Sequence, residues 1–224
     1  MSRNLFDPEN FVQPSQAPGL SQENPMAVRY TVKGEAYARQ GTMVAWRGAL
    51  SFERQGQGVG NFLKRAMTGE GLSLMTAKGE GEVWFASDAA HCFVVDVDDQ
   101  HGLTVNGKNI LCFDASLRYD ITTVEGAGMV GGGLFNCTFG GTGRLALTSA
   151  GVPLVLPVTP DAPVYVDTDA VVAWSPQLRT SLHRSQGIGS MLKGGSGEAV
   201  QLKLEGEGVA VVNPGEPKPH QASA

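Results

Sequence analysis

The sequence has few aromatic residues, few cysteines and no long hydrophobic run, and each shortage excludes a class of protein. Aromatic residues make up 7% of the 224 residues. No stretch approaches the ~20 apolar residues of a membrane-spanning helix, and no apolar run follows Arg3, so no secretory signal is predicted. The three cysteines, Cys92, Cys112 and Cys137, are far apart and outside any CxxC pair. This pattern predicts buried thiols in a reducing compartment, and the simplest location is the cytoplasm.

Basic residues are not in excess, and no group of side chains has the spacing of a metal site. The formal charge is −5, so we expect no nucleic-acid partner. Residues 96–99, DVDD, resemble the start of a calcium loop, but glycine stands at the seventh place rather than the sixth and no glutamate stands at the twelfth. These residues are predicted to form a turn between strands, and the sequence predicts no metal and no cofactor.

Motifs of catalysis are also missing. Residues 126–131 match G-x-G-x-x-G, but the surrounding glycines oppose the helix that a dinucleotide site requires. There is no G-x-S-x-G elbow, and no serine or cysteine has a recognisable neighbouring base. We therefore predict a protein that is not an enzyme.

Glycine, by contrast, is abundant, and one octapeptide occurs three times. Thirty glycines and short, valine-rich apolar runs predict an all-β fold with many tight turns. Residues 43–50 (MVAWRGAL), 110–117 (ILCFDASL) and 171–178 (VVAWSPQL) share an aromatic at the fourth position, namely Trp46, Phe113 and Trp174. We call these segments the signature strands. They predict three β-units related by approximate threefold symmetry, with the aromatics packed toward a shared interior.

The pattern Gly-x-Gly recurs at nearly the same distance after each of the three signature aromatics. A strand is predicted to run up to Gly79, Gly151 and Gly206 in turn, and each is followed by an apolar run that could form the second strand of a hairpin. We further expect residues 27–50 to complete the last unit, so that the two ends of the chain close one ring.

The ends of the chain differ from its middle in composition. Residues 1–26 contain Pro8, Pro14, Pro18 and Pro25 and are predicted to form an extended or disordered arm. The arm could lie along its own domain or along a neighbouring subunit. Residues 27–212 are predicted to form a single three-repeat β domain, and residues 213–224 a disordered tail.

Several long runs resemble a known family. They include GTMVAWRGALSF, LTVNGKNILCFDASL and VDTDAVVAWSPQL, and together they cover about residues 27–216. The chain resembles bacterial members of the family named for altered inheritance of mitochondria, a former domain of unknown function. The resemblance implies an all-β fold similar to three fused subunits of the tryptophan RNA-binding attenuation protein. It implies neither RNA binding nor any catalytic residue.

Each unit is predicted to carry a variable loop, and the symmetry would place all three loops at one end of the domain. Apolar loop residues flanked by cations suit docking to a partner protein or to an anionic membrane surface. Alternatively, these side chains plug the open end of the core. The candidate docking residues are Phe62, Leu63, Lys64, Arg65, Met67, Leu134, Phe135, Phe139, Met191, Leu192 and Lys193.

Two functions follow from these patterns. The first is a non-enzymatic scaffold or binding protein that acts as a homo-oligomer, because repeated β-units have exposed edges that must be paired or covered. The second is a small-molecule-binding protein or enzyme with a pocket on the pseudo-threefold axis.

Overall fold

The computed structural model describes residues 4–15, 17–54, 72–123, 135–183 and 201–215, and these segments are almost entirely β-strands and the turns that join them. The predicted all-β fold is confirmed. Short 3₁₀ turns occur at Pro8–Asn10 and Gly107–Asn109. The strands are β1 (Gly19–Asn24), β2 (Ala27–Arg39), β3 (Met43–Arg54), β4 (Leu74–Phe85), β5 (His91–Val97), β6 (Leu103–Asn106), β7 (Ile110–Asp114), β8 (Arg118–Thr123), β9 (Phe135–Gly140), β10 (Gly143–Ser149), β11 (Leu154–Val158), β12 (Val164–Asp167), β13 (Val171–Trp174), β14 (Arg179–His183), β15 (Gln201–Glu205) and β16 (Gly208–Val212).

The strands pair as three successive units with the same connectivity. In the first unit β2 pairs with β4, and β4 pairs with β3, all antiparallel. The second unit repeats this order with each long strand divided in two, so that β5 and β7 flank β10 while β6 and β8 flank β9. The third unit does the same with β11 and β13 around β16, and β12 and β14 around β15. The third unit therefore uses its own strands, and the prediction that residues 27–50 complete it is wrong.

Glycines bend the strands where hairpins were predicted. Gly34 and Gly79 face each other across β2 and β4, with φ angles of 109° and 123°. Residues that carry a Cβ rarely adopt such φ angles, whereas glycine adopts them readily. A strand can therefore continue through a glycine in this conformation. Gly206 (φ 121°) likewise separates β15 from β16, which pair with different strands. The hairpins predicted after Gly79, Gly151 and Gly206 are therefore wrong, and in the second unit the glycine at the bend is Gly141 rather than Gly151.

Two strand pairs join the units into three sheets. Strand β2 of the first unit pairs with β7 of the second, and β6 of the second unit pairs with β13 of the third. The resulting sheets have the strand orders β3-β4-β2-β7-β10-β5, with β1 added on β2, then β11-β16-β13-β6-β9-β8, and finally β12-β15-β14. The last sheet has three strands, whereas the other two have seven and six.

The buried core runs through all three units and contains the three cysteines. Cys92, Cys112 and Cys137 are free thiols that are at most 1% exposed, which confirms the predicted burial. Burial raises the pKa of Cys92 to about 11 and that of Cys137 to about 12, and it also raises the pKa of Cys112. These thiols therefore remain protonated and poorly reactive at neutral pH.

The N-terminal arm lies along its own domain. Strand β1 pairs with β2, and the Gln22 side chain donates a hydrogen bond to the Cys92 carbonyl at 3.0 Å. Nearer the N-terminus, the Ser15 backbone N–H donates to the Glu82 carboxylate at 3.1 Å, and Arg29 donates to the Gln13 carbonyl. The described arm residues thus take the first of the two alternatives, and the first strand, β1, lies within the predicted arm.

Candidate functional site

The three signature strands share one local structure. Each has a β-bulge at its second residue, where Val44, Leu111 and Val172 are skipped in the pairing with the neighbouring strand. A bulge adds one residue to one strand and increases its twist. Because the bulge occurs at the same place in each copy, equivalent residues of the three strands can be compared directly.

Equivalent residues differ sharply in exposure. Leu111 and Phe113 are completely buried and Trp174 is 3% exposed, whereas Val44 is 61% and Trp46 is 49% exposed. The prediction of inward-facing aromatics is confirmed for Phe113 and Trp174 and wrong for Trp46. The physical reason is the missing neighbour: β7 pairs with β2 and β13 pairs with β6, but in the described part of the chain β3 pairs only with β4.

Aromatic rings mark the junction between the first two units. The Phe113 and Tyr119 rings meet edge to face at 5.3 Å, and the Tyr37 ring of the preceding unit contacts both, at 5.5 Å and 6.2 Å. Trp46 and Phe52 occupy the equivalent positions of the first unit and form the same edge-to-face pair at 5.5 Å. Among the described residues no third ring joins them. The first unit thus presents an incomplete aromatic cluster, which we call the open aromatic pair (Trp46 and Phe52).

A charged cluster supports the strand that carries this pair. The Glu82 carboxylate accepts hydrogen bonds from the Arg47 Nε at 2.6 Å, the Arg29 Nη1 at 3.3 Å and the Ser15 N–H at 3.1 Å. Burial alone would raise the pKa of Glu82, but the hydrogen bonds from Ser15 and Arg47 and the charges of Arg47 and Arg29 outweigh it and lower this pKa. The Arg47 guanidinium also lies 5.3 Å from the Trp84 ring centroid. The Glu82 carboxylate of β4 therefore holds the N-terminal arm, through Ser15, and strand β3, through Arg47, in place.

Of the predicted docking residues, the structure describes Phe135 and Phe139. Phe135 is the first residue of β9. Phe139 lies in the same strand and is fully buried, with its ring 4.9 Å from that of Phe113, so it belongs to the core and not to a docking surface. The others lie outside the described residues, namely Phe62, Leu63, Lys64, Arg65, Met67, Leu134, Met191, Leu192 and Lys193.

Other candidate sites are weaker. A wide, solvent-open depression of about 600 Å³ lies where β8 and β9 meet the turn before β6, and Arg118 and Asp99 form an exposed ion pair in its wall at 3.1 Å. Asp96 and Val97 still belong to β5, and the predicted turn begins only at Asp98, whose carboxylate accepts hydrogen bonds from the backbone of Gln100 and His101. No set of three metal-ligating side chains converges within the described segments. None of the helical segments described there has the length and apolar character needed to cross a membrane.

One strand with a bearing on the open aromatic pair was missed from the sequence. Tyr37, Thr104 and Tyr165 each precede by nine residues the signature aromatic of their own unit. Tyr37 makes the aromatic contacts between the first and second units, and Tyr165, in β12, is 44% exposed. The constant spacing was available in the sequence and would have indicated that β12 is equivalent to the joining strand β2.

A solved structure is similar to this chain in fold, and a protein-family model matches its sequence. A crystal structure of a Streptococcus pyogenes protein is similar with a TM-score of 0.70 and 22% identity, over 88% of this chain and 92% of that one. At this identity the likeness shows a common fold. No curated protein matches. The family model described as mitochondrial biogenesis AIM24 matches residues 21–215, which include every β-strand except the first two residues of β1. The chain therefore belongs to the mitochondrial biogenesis AIM24 family.

Proposed function

We propose that this protein is a non-enzymatic scaffold that works as a homo-oligomer and uses its loop-bearing end to dock a partner protein or a membrane surface. The observation that carries the proposal is the exposure of two apolar residues in the signature strand of the first unit. Val44 and Trp46 are exposed, although the equivalent positions are buried in the other two units.

Exposed strand edges of this kind invite pairing with another strand. An unpaired edge presents a row of free backbone N–H and C=O groups, and proteins commonly protect such edges with charges, prolines or a covering segment. Strand β3 carries Val44, Ala45 and Trp46 at its open edge, all of them exposed. Covering Val44 and Trp46 would remove apolar surface from water, and such burial is favourable by about 25 cal/mol for each Å². Self-association is the simplest way to supply that cover.

The docking part of the proposal is supported by composition. The first and third loops combine apolar residues with Lys64, Arg65 and Lys193, on a chain whose net charge is −5. Local positive charge beside apolar side chains favours an anionic surface. Phe139 is excluded from this surface because it is buried.

Light scattering of the purified protein, coupled to size-exclusion chromatography, tests self-association. We expect a mass that is a multiple of 23.6 kDa at micromolar concentration. Val44→Glu should shift the protein to the monomer mass, because a carboxylate would be buried without a partner in the interface. Val155→Glu is the matched control, since Val155 is also a strand valine that is 61% exposed, and it should leave the mass unchanged.

Two results would contradict the proposal. A strictly monomeric wild-type protein would exclude the homo-oligomer. A specific small molecule that co-purifies with a monomer would favour the competing function, a ligand-binding protein or enzyme.

A further inference from the structure

We infer that copies of this protein associate head to tail, with β12 of one copy pairing antiparallel with β3 of the next copy. The inference rests on the proposed self-association and names the two surfaces that meet. It predicts a pairing that the chain already makes twice between its own units.

The sheets show which strands have an edge that no other described strand covers. In the six-stranded sheet, the three strands β6, β9 and β8 of the second unit are continued by β13, β16 and β11 of the third. The three-stranded sheet contains the equivalent strands of the third unit, β12, β15 and β14, and it ends at β12. Among the described residues no further strand pairs with the β12 edge of this sheet. Strand β3, at the end of the seven-stranded sheet, is the equivalent of β13, and among the same residues it pairs only with β4. The first unit therefore offers the kind of strand that β12 would pair with, and the third unit offers the kind that β3 would pair with.

The internal junctions fix the register. Tyr37 pairs with Phe113 at the first junction, and Thr104 pairs with Trp174 at the second. Within the third unit Tyr165 faces Lys203, as Thr104 faces Thr138 and Tyr37 faces Thr76 in the other two. Tyr165 is thus the equivalent of Tyr37 and Thr104. The predicted register between copies places Tyr165 opposite Trp46 and Val166 opposite Ala45.

The side chains fit this register. At the first junction the Tyr37 ring packs against the edge-to-face pair of Phe113 and Tyr119. The open aromatic pair has the same geometry, and Tyr165 is an exposed aromatic at the position from which Tyr37 approaches. Edge-to-face aromatic contacts add to the energy gained from burial alone. A second copy of this chain is therefore the partner whose surface matches.

The association has a direction, because the two surfaces differ. Head-to-tail contacts close into a ring when the rotation between copies permits and otherwise extend as a filament. A pair of identical surfaces would instead give a closed dimer. This difference allows the two arrangements to be separated experimentally.

Cysteine cross-linking of full-length variants tests the register. The variants are Trp46→Cys and Tyr165→Cys, and the native thiols should not interfere because all three are buried. Opposite residues on antiparallel strands are close enough for a disulfide. Under mild oxidation, a mixture of the two variants should give a covalent dimer and nothing larger, while each variant alone should remain uncrosslinked. A chain with both substitutions should give a ladder of covalent oligomers.

The control mixture is Tyr165→Cys with Val155→Cys, an exposed position on another strand, and it should not cross-link. A second route avoids disulfides. Trp46→Asp and Tyr165→Asp should each be monomeric alone, because each removes one of the two surfaces. Mixed together they should form a dimer of twice the 23.6 kDa chain mass, since each variant retains the surface that the other has lost.

Several outcomes would overturn the inference. Covalent dimers of Trp46→Cys alone would show that β3 pairs with β3, and an intrachain disulfide in the double variant would show that the units close within one copy. If the wild type is oligomeric but neither the cysteine nor the aspartate mixture gives a dimer, the head-to-tail register is wrong while the proposed function stands. A monomeric wild type would remove both.

Discussion

The first and second units differ in what lies beside their signature strands. The second has β2 of the preceding unit on its open edge, and Phe113 is completely buried there. On the same edge of the first unit no strand pairs with β3 among the described residues, and Trp46 at the same position is half exposed. Both strands have the same bulge and the same edge-to-face ring pair. Local sequence therefore specifies the strand, and the neighbouring unit decides whether it is core or surface.

The residue after each signature aromatic shows how the units diverged around this common strand. In the first unit Arg47 pairs with the Glu82 carboxylate across to β4. In the second unit the Asp114 carboxylate accepts hydrogen bonds from the Arg144 N–H at 2.7 Å and from the Tyr30 hydroxyl at 2.6 Å. In each case a polar group of the strand is satisfied, so the position retains its structural role while its charge changes sign.

The largest expected effect is the loss of stability when the buried signature aromatic of the second unit is truncated, and the exposed aromatic of the first unit provides the comparison. Phe113→Ala should lower the free energy of unfolding by about 3–5 kcal/mol, because it leaves a cavity in a packed aromatic cluster. Trp46→Ala should cost less than about 1 kcal/mol in the isolated chain, as is usual for surface substitutions. Chemical denaturation at a concentration where the protein is monomeric measures both. Equal losses would show that Trp46 is as well packed as Phe113 and would break the comparison.

The next largest effect concerns the bend of the first unit. Gly34→Ala should lower the free energy of unfolding by about 1–3 kcal/mol through backbone strain alone, because no atom lies within 4 Å of the added Cβ to clash with it. Gly79→Ala should cost about 1–3 kcal/mol more, because its Cβ would overlap the Ala49 carbonyl oxygen. Thermal unfolding of the two variants gives the order. If Gly34→Ala is the more damaging, the close approach of β3 to β4 at the bend is not rigid.

The smallest effect is electrostatic and appears only in acid. The pKa of Glu82 is lowered on folding, so its contribution to stability is present above the unfolded value near 4.5 and is lost as the pH falls through the lower folded value. Glu82→Gln should therefore reduce stability at neutral pH and make its decline below about pH 4.5 less steep. Unfolding measured between pH 7 and about pH 3 tests this, with Glu80→Gln, on an exposed position of the same strand, as control. An unchanged acid slope in Glu82→Gln would contradict it.

The sequence was sufficient to predict the strands but not their neighbours. The all-β class, the repeated signature and the buried cysteines follow from periodicity and composition, which act locally. The sequence predicts a turn at Gly79 because glycine at a positive φ occurs in both turns and strand bends, and only the long-range strand pairing distinguishes the two. Gly151 matched the spacing by coincidence, because Gly141 occupies the bend. The octapeptide predicts that Trp46 faces the interior, because its sequence does not show whether another strand pairs with the edge of β3.

Part of the candidate site could be predicted from the sequence. The nine-residue spacing from Tyr165 to Trp174 repeats that from Tyr37 to Trp46, and it could have identified β12 as a joining strand. The exposure of Tyr165 could not be predicted, because it depends on whether another strand pairs with β12. The docking residues of the three loops remain predictions, except for Phe139.

The reactivity of the buried cysteines reports how often the surrounding core opens. A thiol whose pKa is raised by burial reacts only after the surrounding segment opens and water reaches the sulfur. Cys92 and Cys112 lie in a core cluster shared by the first and second units, whereas Cys137 lies in a second cluster to which all three units contribute. Oxidative damage to these sulfurs should therefore accumulate in proportion to the time each cluster spends open, and the cysteines of the less stable cluster should be oxidised first.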